Sequence, residues 1–182
     1  GFPSVSAGMA VHSDVVAHYL VNCGTPEQKA YYIPKMVRGE LIGAIAMTEP
    51  GAGSDLQSII TSADEQGDDY KINGSKTFIT NGQHCDFVVV AARTNKAVAG
   101  AKGTSLFIVD CTTQGFERGR NLEKIGLHAA DTSELFFQDV VVPKTAMLGQ
   151  PDRGFVVLMS ELQRERLTLG FIAQSAAEGT LA

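Results

Sequence analysis

The fold class is decided by residues 41–55, which read Leu41-Ile42-Gly43-Ala44-Ile45-Ala46-Met47-Thr48-Glu49-Pro50-Gly51-Ala52-Gly53-Ser54-Asp55. The first half is a short apolar run of strand length, and the second half is rich in turn-forming Gly, Pro and Asp. We interpret the stretch as a strand that runs into a loop. The loop glycines would let backbone N–H groups approach an anionic or polar ligand, but neither phosphate-binding glycine motif is complete, so an ordinary tight turn is the alternative.

Further short runs of β-branched and aromatic residues follow this loop. They lie at 59–63, 70–72, 76–80, 87–92, 104–109 and 135–142. We expect antiparallel pairing, with runs joined through Gly67 and then through Asn73-Gly74, the strongest short signal for a hairpin. Arg118-Gly119-Arg120 is interpreted as an exposed loop. Six or seven strands without intervening helices predict a β-barrel or sandwich rather than a parallel sheet.

Helical patterns flank the strands on both sides. Apolar spacing predicts a helix over residues 4–21. Thr25-Pro26-Glu27-Gln28 supplies an N-cap, a first-turn proline and a capping-box glutamine for a second helix, which we expect to be interrupted near Pro34. A third helical pattern begins at Gly154 and continues to the end.

The predicted fold class is therefore α+β, an antiparallel β-barrel or sandwich flanked by helices. We expect residues 1–40 to end an N-terminal helical domain, residues 41–150 to form the β-barrel middle domain, and residues 151–182 to start a C-terminal helical domain. Such an order is typical of the central portion of a longer polypeptide.

Composition excludes several other classes of protein. With 44% hydrophobic and 19% charged residues, the chain is that of a globular protein rather than a disordered one. A net charge of -5 without a basic stripe argues against nucleic-acid binding. The longest apolar runs fall far short of the roughly 20 residues that span a bilayer. Neither the three cysteines, expected to be reduced structural thiols, nor the four histidines have metal-site spacing.

The last helix carries the best candidate for proton transfer. A turn of about 100° per residue places Glu165 in one narrow sector with the apolar Leu158, Leu162, Leu169 and Ile172. A carboxylate among apolar side chains is either paired or desolvated, and desolvation raises its pKa toward the range of a general base. The alternative is that Glu165 lines an oligomer contact.

The neighbours of this glutamate are interpreted by the same helical geometry. Arg166 falls on the adjacent sector with Phe155 and Met159, where it either supports the site or extends to solvent. Glu161 and Arg164 are expected to point elsewhere and to be solvated.

Several motifs together resemble the acyl-CoA dehydrogenase family in order and spacing, over essentially the whole chain. They lie at 46–55, 72–76, 78–82, 126–127, 132–137 and 161–167. The resemblance implies that FAD and an acyl-CoA thioester are enclosed between the β-domain and the flanking helical domains. It also implies oxidation of the acyl-CoA to a trans-2-enoyl-CoA.

The resemblance further implies roles for individual residues. The implied cofactor-binding residues are Ile45, Ala46, Met47, Thr48, Gly53, Ser54, Phe78, Ile79 and Thr80. Within that set, Thr48 matches a threonine at the flavin pyrimidine edge, and residues 78–80 match the segment beside the isoalloxazine, with Phe78 where several relatives have tryptophan. The implied substrate-binding residues are Ser54, Gln163, Arg164 and Arg166.

Glu165-Arg166 matches the catalytic glutamate and following arginine of the long-chain and isovaleryl types, and the surrounding residues are more similar to the long-chain type. The resemblance implies that Glu165 removes the α-proton while the β-hydrogen passes as hydride to flavin N5. Two alternatives stay open: a short- or branched-chain dehydrogenase, and a non-catalytic binding or assembly module.

Partners and compartment also follow from the resemblance. It implies electron-transferring flavoprotein as electron acceptor and a homotetramer in the full-length protein. It implies the mitochondrial matrix in a eukaryote or the cytoplasm of a bacterium, of which we favour the second. We expect this piece alone to bind FAD poorly.

Overall fold

A computed structural model describes residues 3–181. Residues 1, 2 and 182, at the ends of the two predicted helical domains, lie outside the described residues. The helices are α1 (Pro3–Ala10), α2 (Ala17–Cys23), α3 (Pro26–Val37) and α4 (Gly154–Leu181), with a π-helical stretch, Val11–Val16, between the first two. The strands are β1 (Gly43–Ala46), β2 (Ser62–Gln66), β3 (Asp69–Thr80), β4 (Phe87–Arg93), β5 (Thr104–Asp110), β6 (Phe116–Asn121), β7 (Thr132–Pro143) and β8 (Met147–Leu148). This order of helices, sheet and helix confirms the predicted α+β class. None of the described helices is long and apolar enough to cross a membrane.

One eight-stranded sheet forms the middle of the molecule. Its strand order is β6-β7-β3-β2-β4-β5-β8, and β1 pairs with β4 beside this path. Most neighbours are antiparallel, as predicted, but β1 and β2 both run parallel to β4. The sheet is therefore mixed, and the expectation of purely antiparallel pairing is wrong for these two strands.

Strand β4 is buried on both faces and so joins the two halves of the core. Because side chains alternate along a strand, Val88 and Val90 face the cluster formed with β3 and β7. Phe87 and Val89 face the other way, into a cluster that contains Tyr19 of α2. This second cluster fixes the helices against the sheet.

The predicted hairpin at Asn73-Gly74 is wrong, because β3 continues through it as one strand. The predicted junction at Gly67 is confirmed, because the chain reverses there between β2 and β3 with a φ of +63°. Gly74 is required for another reason: a Cβ there would lie 2.3 Å from the Thr61 hydroxyl oxygen. A register shift of the β3–β7 pairing accompanies this close approach.

The expected interruption near Pro34 is also wrong, since α3 continues through it to Val37. Proline removes one N–H donor, but its own carbonyl still accepts a hydrogen bond from the Arg38 N–H at 3.2 Å. The predicted capping box of Thr25 and Gln28 is present at the start of α3.

Strand β6 was not predicted from the sequence, and its residues Arg118-Gly119-Arg120 are not a loop. The strand pairs only with β7, so it lies at the edge of the sheet. Charged side chains on an edge strand discourage pairing with other chains, and they also hide the apolar alternation that identifies a strand.

A buried ion pair links the loop after β1 to β3. The Lys76 ammonium donates to Glu49 Oε1 at 2.9 Å and to the Met47 carbonyl oxygen at 3.0 Å, and both side chains are almost wholly buried. The Glu49 carboxylate also accepts from the backbone N–H groups of Ile60 and Thr61. Burial lowers the pKa of Lys76 to about 8, although Glu49 opposes that shift. Burial would raise the pKa of Glu49, but Lys76 and the two N–H donors outweigh it, so that pKa lies below its ordinary value.

We predict that Lys76→Met lowers the free energy of unfolding by about 3–5 kcal/mol, because it leaves the Glu49 carboxylate buried without its cation. Lys96→Met is the matched control, since Lys96 pairs with Asp64 at 2.6 Å on the exposed surface. The control should change stability by less than about 1 kcal/mol. Denaturant unfolding measures both, and equal midpoints for Lys76→Met and the parent would contradict the prediction.

Candidate functional site

A cleft of about 380 Å³ lies between the loop after β1 and helix α4. The lining residues are Met47, Thr48, Gly53, Ser54, Asp55, Leu56, Gln57, Phe155, Met159, Leu162 and Arg166. The four residues from α4 recur at helical spacing and so share one face. The fold thus brings Thr48, Gly53 and Ser54 together with Arg166, all of them residues singled out in the sequence.

The ends of β1 and β3 lie side by side next to this cleft. The Thr77 N–H donates to the Thr48 carbonyl oxygen at 3.0 Å and ties the two segments together. Phe78 has a φ of +59°, and its side chain is 66% exposed. Its ring therefore offers an apolar surface to a ligand, whereas the side chains of Ala46 and Ile79 are buried in the core and leave only their backbone groups for contact.

The glycines of the loop after β1 leave free space beside its backbone. A Cβ added at Gly51 or Gly53 would meet nothing within 4 Å, so these glycines are not required by packing inside the chain. Two backbone hydrogen bonds between Glu49 and Ala52 hold the loop in shape. An open, fixed backbone beside the exposed Phe78 ring offers polar and apolar groups for contact with a ligand.

Glu165 is buried against α2, with only 9% of its surface exposed. Its Oε1 accepts a hydrogen bond from the Tyr19 hydroxyl at 2.9 Å. Burial raises the pKa of Glu165 above its ordinary value, although Tyr19 and the nearby Arg164 act in the opposite direction. Burial, and after it the Glu165 charge, also raises the pKa of Tyr19, so its hydroxyl keeps its proton.

The buried face of α4 differs from the predicted apolar sector. Leu158 and Glu165 are buried, but Leu169 and Ile172 are exposed. Glu165 therefore lies at the end of the buried face rather than in its middle. At about 100° per residue, its direction is roughly 90° from that of the cleft residues of the same helix.

The expectation that Glu161 and Arg164 are solvated is wrong. Glu161 is buried and accepts a hydrogen bond from the Asn22 side chain at 2.7 Å. Arg164 Nη2 lies 3.6 Å from Glu161 Oε2, and its Nε and Nη2 have no hydrogen-bond partner within the described chain. Gln163 is exposed and does not line the cleft. The cause is that α4 packs on two sides, against α2 and against the loop.

The cysteines and histidines form no recognisable metal site. Cys85 and Cys111, distant in sequence, are free thiols whose sulfur atoms lie 3.4 Å apart in the core. His12 is a structural residue, because its two ring nitrogens contact the Met36 carbonyl and the Gly43 N–H. Among residues 3–181, no group of three or more His, Cys, Asp or Glu side chains is placed to bind a metal ion.

Three residues of this region were missed by sequence reasoning. Tyr19 fits an apolar helix face, and nothing in the pattern shows that its hydroxyl meets Glu165. Lys76 lies in a strand run, where a charged residue was the available signal for a buried pair, whereas Glu49 lies in the turn-rich loop and carries no such signal.

Comparison with known proteins adds to this geometry. Family models described as the acyl-CoA dehydrogenase N-terminal domain and middle domain match residues 1–40 and 44–140. The long-chain specific acyl-CoA dehydrogenase of Sus scrofa is 53% identical over 94% of this chain and 40% of that protein. The isovaleryl-CoA dehydrogenase of Pongo abelii is 41% identical over 91% of this chain and 40% of that protein.

A solved structure is also similar to this chain. The acyl-CoA dehydrogenase of Geobacillus kaustophilus is 54% identical, with a TM-score of 0.93 over 94% of this chain and 46% of that one. The chain spans about 40% of the length of the curated relatives it matches. The middle-domain model covers more than half of the chain, and the chain belongs to the acyl-CoA dehydrogenase family.

Proposed function

We propose that the protein catalyses FAD-dependent α,β-dehydrogenation of acyl-CoA thioesters to trans-2-enoyl-CoA, with Glu165 as the base. The observation that carries the proposal is the burial of this carboxylate on α4 next to the helical face that lines the cleft. A carboxylate kept from water, with a raised pKa, is the kind of group that accepts a proton from carbon. We also propose the division into two helical parts and a β-domain between them.

The residues around the cleft fit FAD. Thr48 and the open backbone at Gly53 and Ser54 would contact its polar groups, and the exposed Phe78 would cover part of its ring. The backbone groups of Ile45, Ala46, Met47, Ile79 and Thr80 complete this proposed surface. When bound, FAD supplies the acceptor for the β-hydrogen as hydride, and the protein supplies its orientation.

The residues of the chain would accept the proton, exclude water and bind the substrate. Glu165 accepts the α-proton. The apolar Leu162, Met159 and Phe155 exclude water from the cleft, which strengthens hydrogen bonds to a developing enolate. Arg166 lines the same cleft and is suited to the negative charge of a CoA phosphate.

Arg164 and Gln163 lie outside the set of residues that line the cleft. Within the described chain, two buried nitrogens of Arg164 have no hydrogen-bond partner, which suits a further acceptor, whereas Gln163 is exposed away from the cleft. We propose both as substrate contacts that depend on parts of the enzyme beyond this chain.

We further propose a long-chain substrate, electron-transferring flavoprotein as the electron acceptor, and a homotetramer for the whole enzyme. Higher identity to the long-chain specific relative than to the isovaleryl relative supports the first. The mitochondrial matrix or the bacterial cytoplasm is the proposed compartment, according to the host.

We predict that Glu165→Gln lowers turnover of a long-chain acyl-CoA at least about a hundredfold, because the amide cannot accept the α-proton. Flavin content and acyl-CoA binding should remain. Glu161→Gln is the matched control, since this residue is also buried on α4 against α2, and it should keep turnover within about tenfold. Stopped-flow flavin reduction measures the step, and full turnover in Glu165→Gln would remove the base assignment.

The raised pKa of Glu165 predicts a specific pH profile. The base must be ionised, so kcat/KM should fall as pH decreases through its pKa. That acid limb should lie above the ordinary glutamate pKa of about 4.3. Measured kcat/KM from acid to neutral pH tests this, and an acid limb at or below the ordinary value would contradict it.

Chain-length profiling separates the long-chain from the branched-chain alternative. We predict a kcat/KM for palmitoyl-CoA at least about tenfold above that for isovaleryl-CoA, because each added methylene in an apolar pocket contributes binding energy. The reverse order would favour the isovaleryl type. No flavin reduction by any acyl-CoA would favour the non-catalytic module.

A further inference from the structure

We propose that Tyr19 is the positioning residue for the catalytic base: its hydroxyl fixes Oε1 of Glu165 and favours the ionised carboxylate that accepts the α-proton. The inference rests on the proposed function, since it concerns Glu165 as base. It deepens that function by assigning a role to a residue that lies 146 positions earlier in the chain.

The geometry fixes the position of Tyr19. Its side chain is fully buried on α2, within a core cluster that also contains Leu20 and Leu158. A ring packed in this way cannot turn its hydroxyl to water without opening the contact between α2 and α4. The 2.9 Å hydrogen bond therefore fixes the orientation of the Glu165 carboxylate through Oε1, so Oε2 is the oxygen that would accept the α-proton in the proposed reaction.

The direction of the hydrogen bond follows from the chemistry. An ionised carboxylate only accepts, so the Tyr19 hydroxyl is the donor. Burial and the negative charge of Glu165 both disfavour loss of the Tyr19 proton, so the donor persists at any pH at which the enzyme works. Hydrogen bonding to the charged form favours that form and opposes the effect of burial on Glu165. Tyr19 thus keeps the base ionised at lower pH than burial alone would allow.

Other groups around Glu165 act on it differently. The titratable and charged groups that act on it are Tyr19 from α2 and Glu161, Arg164 and Arg166 from α4 itself, and Cys23 of α2 acts on Tyr19. The two arginines favour the carboxylate, whereas Glu161 disfavours it. Burial raises the pKa of the Cys23 thiol, which keeps it neutral. Within residues 3–181, Tyr19 is the one group among them that donates a hydrogen bond to Glu165.

The test is Tyr19→Phe in the FAD-loaded holoenzyme, because phenylalanine keeps the ring and removes only the hydroxyl. We expect the acid limb of kcat/KM for palmitoyl-CoA to move up by about one pH unit, with the plateau at higher pH lowered less than about tenfold. A carbon-NMR titration of the Glu165 carboxyl in the same enzyme without substrate should show the same upward shift. The acid limb of Asn22→Ala, which removes a hydrogen bond to Glu161 across the same helix pair, should not move.

A second variant keeps the proposal testable if Tyr19→Phe does not fold. A fluorotyrosine at position 19 is a stronger donor, so the Glu165 pKa should move down instead. An unchanged acid limb and an unchanged NMR titration in these variants would overturn the role of Tyr19. Full turnover of Glu165→Gln would instead overturn the proposed base itself, so the two failures are distinguishable.

Discussion

The ion pair between Lys76 and Glu49 is the interaction on which the shape of the site depends. Glu49 directly follows Thr48 in the loop after β1, and Lys76 lies in β3 just before the exposed Phe78. The same carboxylate holds the backbone at Thr61, so one buried pair fixes three segments of the chain. A buried pair is seldom retained for stability alone, because desolvation offsets much of its attraction. Its value here is geometric, since it sets the distance between the loop and the strand end that we propose as the cofactor-binding surface.

Sequence reasoning predicted the parts of the fold whose signals are local. Strands such as 87–92 and 104–109 were evident because both of their faces are buried and their residues are almost all apolar. The hairpin was placed wrongly because Gly74 exists for a tertiary contact with Thr61, which a turn rule cannot distinguish from a turn. The edge strand 116–121 was missed because its position in the sheet selects charged residues over apolar ones.

The sequence predicted those parts of the candidate site that belong to recognisable motifs. The resemblance identified Thr48, Ser54 and Arg166, which do lie around one cleft. The helical wheel predicted that Glu165 lies among apolar residues but misplaced Glu161, because a wheel assumes one buried side, whereas α4 contacts α2 as well as facing the cleft. The contact of Tyr19 with Glu165 could not be predicted, because it depends on how α2 packs against α4, a helix that begins more than a hundred residues later.

The position of Glu165 along α4 supports the proposal that it is the base, because its carboxylate is desolvated but not fully enclosed. Up to this residue the helix packs against the core, as Leu158 shows, and beyond it nearly every side chain is exposed in the described chain. Glu161, one turn earlier, is also buried, but it accepts a hydrogen bond from the Asn22 side chain rather than from Tyr19. In the proposed reaction, burial raises the pKa of Glu165 into a range suited to a base, and the hydrogen bond from the Tyr19 hydroxyl keeps the carboxylate in one orientation.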